Sequence, residues 1–210
     1  MKKVVSNILI YLLFPSIIPL FFTNNVNSKE YIILVFISYL LLFIYFFSIY
    51  KKEILNDIKK FNKETIFKTI FYFIIGFILM ILFNYIINYI VIPNGISNNE
   101  IGNRNLLLNN KIIYGILLCI IIPFIEEIIF RLSLKKTIKN KYLFLIISST
   151  IFALLHLLSN TKLIELLYFI PYFILGLTFG TIYIKTNNIF SSILSHIFNN
   201  TLTVLIVLLF

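Results

Sequence analysis

Three stretches of this 210-residue chain hold groups that apolar sequence usually excludes. Glu126, Glu127 and Arg131 fall inside one hydrophobic run. His156 lies in a second run and His196 with Asn200 in a third. Together they use both histidines of the chain and two of its eight acidic residues. Glu30, Glu53, Asp57, Glu64 and Glu100 fall in loops or at run ends, and Glu165 is close enough to a run start to reach an interface. A charged group at a bilayer centre costs about 2.5–3.5 kcal/mol on insertion scales, so ionisable residues kept there mark a site by default.

Helical spacing sorts these groups. Glu127 and Arg131 are i and i+4, share a face and can pair. Glu126 points about 100° away and has no cation in its own helix. That predicts one structural carboxylate neutralised by Arg131, and one functional carboxylate aimed at the interior. His196 and Asn200 share a face at the same spacing, and Phe152 can wedge the ring of His156. A carboxylate, two imidazoles and a carboxamide suit hydrolysis of a peptide bond by activated water. A desolvated carboxylate can serve as general base beside one imidazole. A second imidazole and an amide N–H can hold the developing oxyanion. The rival arrangement is zinc or another divalent metal on Glu126, His156 and His196 with an open position for water. The metal-free version is preferred, and the metal version stays open at this point. Other chemistries lack their residues: the chain has no H-E-x-x-H, no G-x-S-x-G, and Asp57 is its single aspartate.

The elements that must position these groups are membrane helices. The sequence is 60% hydrophobic and 12% charged, against about 25% charged for a soluble domain. That excludes a soluble enzyme, a disordered chain and a disulfide scaffold. The expected fold is all-α, a polytopic transmembrane bundle of about seven spans: Ile8–Phe22, Tyr31–Tyr50, Ile66–Ile92, Ile112–Leu134, Tyr142–Leu158, Leu163–Ile184 and Ile189–Phe210. The first run lacks a small-residue cleavage site and is read as a retained helix. The organisation is one integral membrane domain, with N-terminal helices and loops over 1–110 and the catalytic helices over 111–210.

With the N-terminus in the cytoplasm, thirteen of the eighteen Lys and Arg residues fall on that side and four on the other (Lys29, Arg104, Lys111 and Lys162), Arg131 being inside a span. This asymmetry accounts for the net charge of +10 without a nucleic-acid partner. Lys51 to Glu64 reads as a short amphipathic piece on the inner leaflet, or a solvated loop, and Pro93 to Asn110 as a polar loop opposite. Gly176 and Gly180 form a G-x-x-x-G, read as close helix packing. Asn84 and Asn88 are read as hydrogen bonds between helices, and Tyr168, Tyr172 and Tyr183 as packing residues. Straight helices would put Glu126 roughly 13 Å from the basic end, His196 at a similar depth, and His156 deeper, at about 22 Å.

"EEIIFR" (Glu126 to Arg131), "FALLH" (Phe152 to His156) and "HIFNN" (His196 to Asn200) resemble, in order, the E-E-x-x-x-R, F-x-x-x-H and H-x-x-x-N motifs of the CAAX protease and bacteriocin-processing (Abi) family. Leu132 stands where many members carry Gly after the Arg. The resemblance runs from about Tyr114 to Thr201. It implies an intramembrane endopeptidase related to type II CAAX prenyl endopeptidases. Glu126 and His156 would activate water, and His196 and Asn200 would stabilise the oxyanion. Glu127, Arg131 and Phe152 would support the site. The implied partners are a membrane-associated peptide or lipidated protein substrate and the bilayer of the plasma membrane, with the cavity open to the cytoplasm or to lipid. The alternative is a non-catalytic bacteriocin-immunity or partner-binding protein on the same scaffold, and a third reading is a transporter.

Overall fold

A computed structural model describes residues 2–21, 28–93, 95–158 and 162–209. Phe22 and Phe210, the ends of two expected spans, lie outside these residues. Among the described residues there are helices and no strands. In chain order they are α1 (Lys2–Phe21), α2 (Lys29–Lys59), α3 (Lys63–Val91, its last turn π-helical), α4 (Asn98–Asn109), α5 (Lys111–Thr137), α6 (Lys141–His156), α7 (Leu163–Thr186, opening with a 3₁₀ turn) and α8 (Ile189–Leu209).

Helices α2, α3, α5, α7 and α8 are long and apolar enough to cross a membrane. Two further apolar stretches, Ser6–Pro15 in α1 and α6 itself, are shorter. The sixteen residues of α6 rise only about 24 Å, less than the roughly 30 Å of a hydrocarbon core. The bundle buries charged and polar groups within its apolar core and is apolar outside. Glu127, Arg131, Ser148, Ser149, Ser191 and Ser192 are fully buried, while Ile33, Leu41, Phe67 and Ile78 face outward. A soluble globule would reverse this, so the chain is an integral membrane protein of helical-bundle architecture.

Two expected segments fold differently. Lys51 to Lys59 is no separate amphipathic piece. It forms the last turns of α2, and α3 starts four residues later, where Asn62 accepts from the Thr65 N–H at 3.0 Å. Pro93 to Asn110 is not all loop, since α4 occupies most of it. Its start was legible as a capping box, Ser97-x-x-Glu100: Ser97 Oγ accepts from the Glu100 N–H at 3.3 Å, and Glu100 pairs with Arg104 at 2.8 Å.

Small residues seat α7 between α3 and α6. A Cβ on Gly176 would lie 2.8 Å from Ser149 Cα, and one on Gly76 would lie 1.8 Å from Thr178 Oγ1. The G-x-x-x-G of α7 therefore serves close approach, as its spacing implies. The chain leaves α7 through Asn187, in the left-handed region at φ 48°. Asp57 of α2 then receives the Ile189 N–H at 2.7 Å, and its backbone carbonyl receives Asn188 Nδ2 at 2.6 Å. Lys136 pairs with Glu53 beside them. The α2–α3, α5–α6 and α7–α8 connections thus gather at one lysine-rich end, and α4 lies at the other.

Candidate active site

Glu126 and Glu127 sit in α5 between two π-helical turns, Leu117–Ile121 and Ile128–Ser133. Such turns shift the register of a helix and recur at functional sites. Glu127 is fully buried and paired on both oxygens. Its Oε2 faces Arg131 Nε at 3.3 Å and accepts from Ser192 Oγ at 2.6 Å, and its Oε1 meets His196 Nδ1 at 3.0 Å. Arg131 in turn donates to Ser148 Oγ and stands over the Phe152 ring, 5.4 Å from its centroid. The i,i+4 pair is thus present, but Glu127 does more than neutralise Arg131, because it also orients a histidine 69 residues away.

Glu126 is 4% exposed and carries no partner from its own helix. Its Oε1 accepts the Tyr11 hydroxyl of α1 at 2.6 Å. Its Oε2 has no hydrogen bond and lies 3.8 Å from His196 Nε2. His196 therefore stands between the two carboxylates, one on each ring nitrogen. With Nδ1 donating to Glu127, Nε2 is the nitrogen left for chemistry. The Phe179 ring stacks on the imidazole at 4.5 Å and fixes its plane.

His156 is held differently. Its Nδ1 bonds the Phe152 carbonyl at 2.9 Å, and its ring lies 4.4 Å from Phe152 and 4.6 Å from Tyr172. The Phe152 ring also lies 5.7 Å from the His196 ring. None of the hydrogen bonds among the described residues joins His156 to Glu126. Asn200 is fixed by two bonds, with Nδ2 donating to the Leu118 carbonyl at 3.0 Å and Oδ1 accepting from Asn199 at 3.2 Å. One N–H of Asn200 remains to be used.

His156, His196, Asn199 and Asn200 line one cavity of about 290 Å³, near the lower bound of small-ligand sites. Asn84 and Asn88 line it too. Asn88 accepts from Tyr168 at 2.7 Å across helices as expected, whereas Asn84 bonds Met80 within α3. Tyr172 does more than pack, its hydroxyl meeting Ser97 and Asn99. Among the described residues no three His, Cys, Asp or Glu side chains converge as ligands for a metal ion. Glu126, His156 and His196 as placed are not such a group. Tyr11 and Asn199 were not foreseen. Tyr11 carries no local signal, and Asn199 is one of many asparagines.

All three motifs fall within residues 108–202, which match the sequence model of the family described as Rce1-like, type II CAAX prenyl endopeptidase Rce1-like. Residues 108–202 are an Rce1-like region. A 90-residue stretch is also 36% identical to the UPF0177 protein YxdF of Lactococcus lactis subsp. lactis, covering 43% of this chain and 45% of that protein. The chain thus matches less than half the length of that relative. No solved structure matches the chain. The Rce1-like region takes in α5 to most of α8 and so carries Glu126, Glu127, Arg131, His156, His196, Asn199 and Asn200, while Tyr11, Asn84 and Asn88 of α3 and the α4 wall lie outside it. The chain is an integral membrane protein in which residues 108–202 are similar to that family.

Proposed function

We propose that the Rce1-like region is an intramembrane endopeptidase that hydrolyses a peptide bond of a membrane-associated peptide. The observation that supports this most is His196, held at Nδ1 by Glu127 and facing the unbonded oxygen of Glu126 with Nε2, at the wall of a cavity shared with His156 and Asn200. In this reading a water on Glu126 Oε2 attacks the scissile carbonyl carbon and passes its proton to that carboxylate. His156 helps to orient the water from the cavity. The carbonyl oxygen takes the negative charge, and the unused N–H of Asn200 and the Nε2–H of His196, in the imidazolium form that keeps its Nδ1–H on Glu127, bind it; one lost donor of this kind costs about 3–4 kcal/mol. When the intermediate collapses, the C–N bond breaks and Glu126 returns the proton to the leaving amine. The four groups act without a metal.

The test is cleavage of a peptide substrate by purified protein, with and without chelator, for the parent and for Glu126→Gln, His156→Ala and His196→Ala. The reading expects chelator-resistant cleavage that all three substitutions abolish. Inactivation by chelator with recovery on adding zinc overturns the metal-free step. Full function in all three variants favours the non-catalytic immunity or partner-binding reading.

A further inference from the structure

The two imidazoles of the site are held by different means. His196 is set by the Glu127 carboxylate on its Nδ1. His156 carries one hydrogen bond among the described residues, from Nδ1 to the carbonyl of Phe152 in its own helix. One bond fixes a ring nitrogen and leaves the plane of the ring to its packing. Two aromatic rings lie against it, Phe152 at 4.4 Å and Tyr172 at 4.6 Å between centroids. Ring pairs at such separations attract each other and prefer particular orientations. Phe152 shares α6 with His156, so Tyr172 of α7 is the ring that a second helix brings.

Tyr172 is itself anchored at its hydroxyl, which lies 2.9 Å from Ser97 Oγ and accepts from Asn99 Nδ2 at 3.2 Å. Ser97 is the N-cap of α4, and Asn99 stands in its first turn. A phenol oxygen that accepts from Asn99 still has its own hydrogen to give to Ser97, so α4 can satisfy it in both roles. The middle and end of α4 have other ties, since the Tyr114 hydroxyl donates to Asn103 at 2.9 Å and Leu107 is buried in the core. Losing the Tyr172 bonds would free the start of α4 and leave the rest attached. The relay runs from a helix that lies almost wholly outside the Rce1-like match to a histidine inside it. Ser97, Asn99, Tyr172 and His156 all line the one cavity, so a ligand there meets both ends of the relay.

We infer that Tyr172 is a positioning residue for His156, and that α4 sets its place through Ser97 and Asn99. A shift of the start of α4 is thereby felt at the imidazole. The effect on rate rests on the endopeptidase reading, in which His156 orients the water; the coupling of α4 to His156 does not.

The chain has two histidines, so its imidazole signals can be read one at a time. NMR of full-length protein with ring-labelled histidine, in detergent, tests the coupling, the two signals being assigned with His156→Gln and His196→Gln. Tyr172→Phe keeps the ring and removes the hydroxyl. It should shift or broaden the His156 signal and leave that of His196 in place. Ser97→Ala with Asn99→Ala should do the same, and should add nothing in the Tyr172→Phe background. Tyr168→Phe removes another hydroxyl of the cavity, one bonded to Asn88, and should leave the His156 signal unmoved. In peptide cleavage Tyr172→Phe should lower kcat roughly two- to tenfold, the share of one neutral hydrogen bond, with KM unchanged. A His156 signal unmoved by Tyr172→Phe, or moved as much by Tyr168→Phe, overturns the inference. So do α4 substitutions that act in full without the Tyr172 hydroxyl. Ser97 also caps α4, so Asn99→Ala alone repeats the comparison if the double variant fails to accumulate. A coupled His156 signal in a protein that cleaves no peptide would keep the inference and end the endopeptidase reading. Cleavage that depends on Glu126, with kcat and the His156 signal both indifferent to Tyr172→Phe, would do the opposite.

Discussion

Replacing Arg131 by Met keeps much of the side-chain volume and removes the charge. Arg131 and Glu127 are both fully buried, so the carboxylate would lose its permanent cation with no water to replace it. Removing one member of a buried pair costs about 3–5 kcal/mol. The lower bound applies here, because Ser192 and His196 still hold Glu127. A loss of about 3 kcal/mol is roughly a hundredfold in the unfolding equilibrium. It corresponds to a fall of about 6–12 °C in Tm at this chain length. The double variant Glu127→Gln with Arg131→Met removes both charges and keeps an acceptor for His196. It should regain most of the lost stability, since a buried pair replaced whole is often neutral. The assay is thermal unfolding in one detergent for the parent, both single variants and the double variant, which closes a double-mutant cycle. A single variant that loses less than about 1 kcal/mol, or a double variant no better than Arg131→Met, refutes the pairing of Glu127 with Arg131 as the source of stability.

Other consequences are checked more simply. Glu126→Gln should fold as the parent does and lower kcat by about 10²–10⁴-fold, the usual share of a general base, measured by peptide cleavage beside a Tm. Tyr11→Phe removes the one hydroxyl on Glu126 Oε1 and should lower kcat about tenfold with little change in KM, as expected for one charge-assisted hydrogen bond; an unchanged kcat would show that α1 does not position the carboxylate. Gly176→Leu should fail to accumulate, because even its Cβ would sit 2.8 Å from Ser149 Cα, whereas Gly102→Ala in α4 has nothing within 4 Å and should gain up to about 1 kcal/mol in a melt. Glu53→Gln breaks a surface pair with Lys136 and should change stability by no more than about 1 kcal/mol.

The sequence by itself determined the solvent and the parts. Long apolar runs allow little but membrane helices, because in lipid each backbone N–H and C=O must be satisfied within its own segment. The i,i+4 rule was enough to pair Glu127 with Arg131, and to set Phe152 against His156, since both relations are internal to one helix. The capping box before α4 was equally local and went unread in an asparagine-rich stretch. Only the tertiary structure decided which groups meet across helices. Nothing in the spacing of Tyr11 ties it to a carboxylate 115 residues on, or puts one imidazole between two adjacent glutamates. Those contacts follow from how far apart α1, α5 and α8 stand and how they are rotated. Packing sets both, through residues as small as the glycines that let α7 sink between α3 and α6.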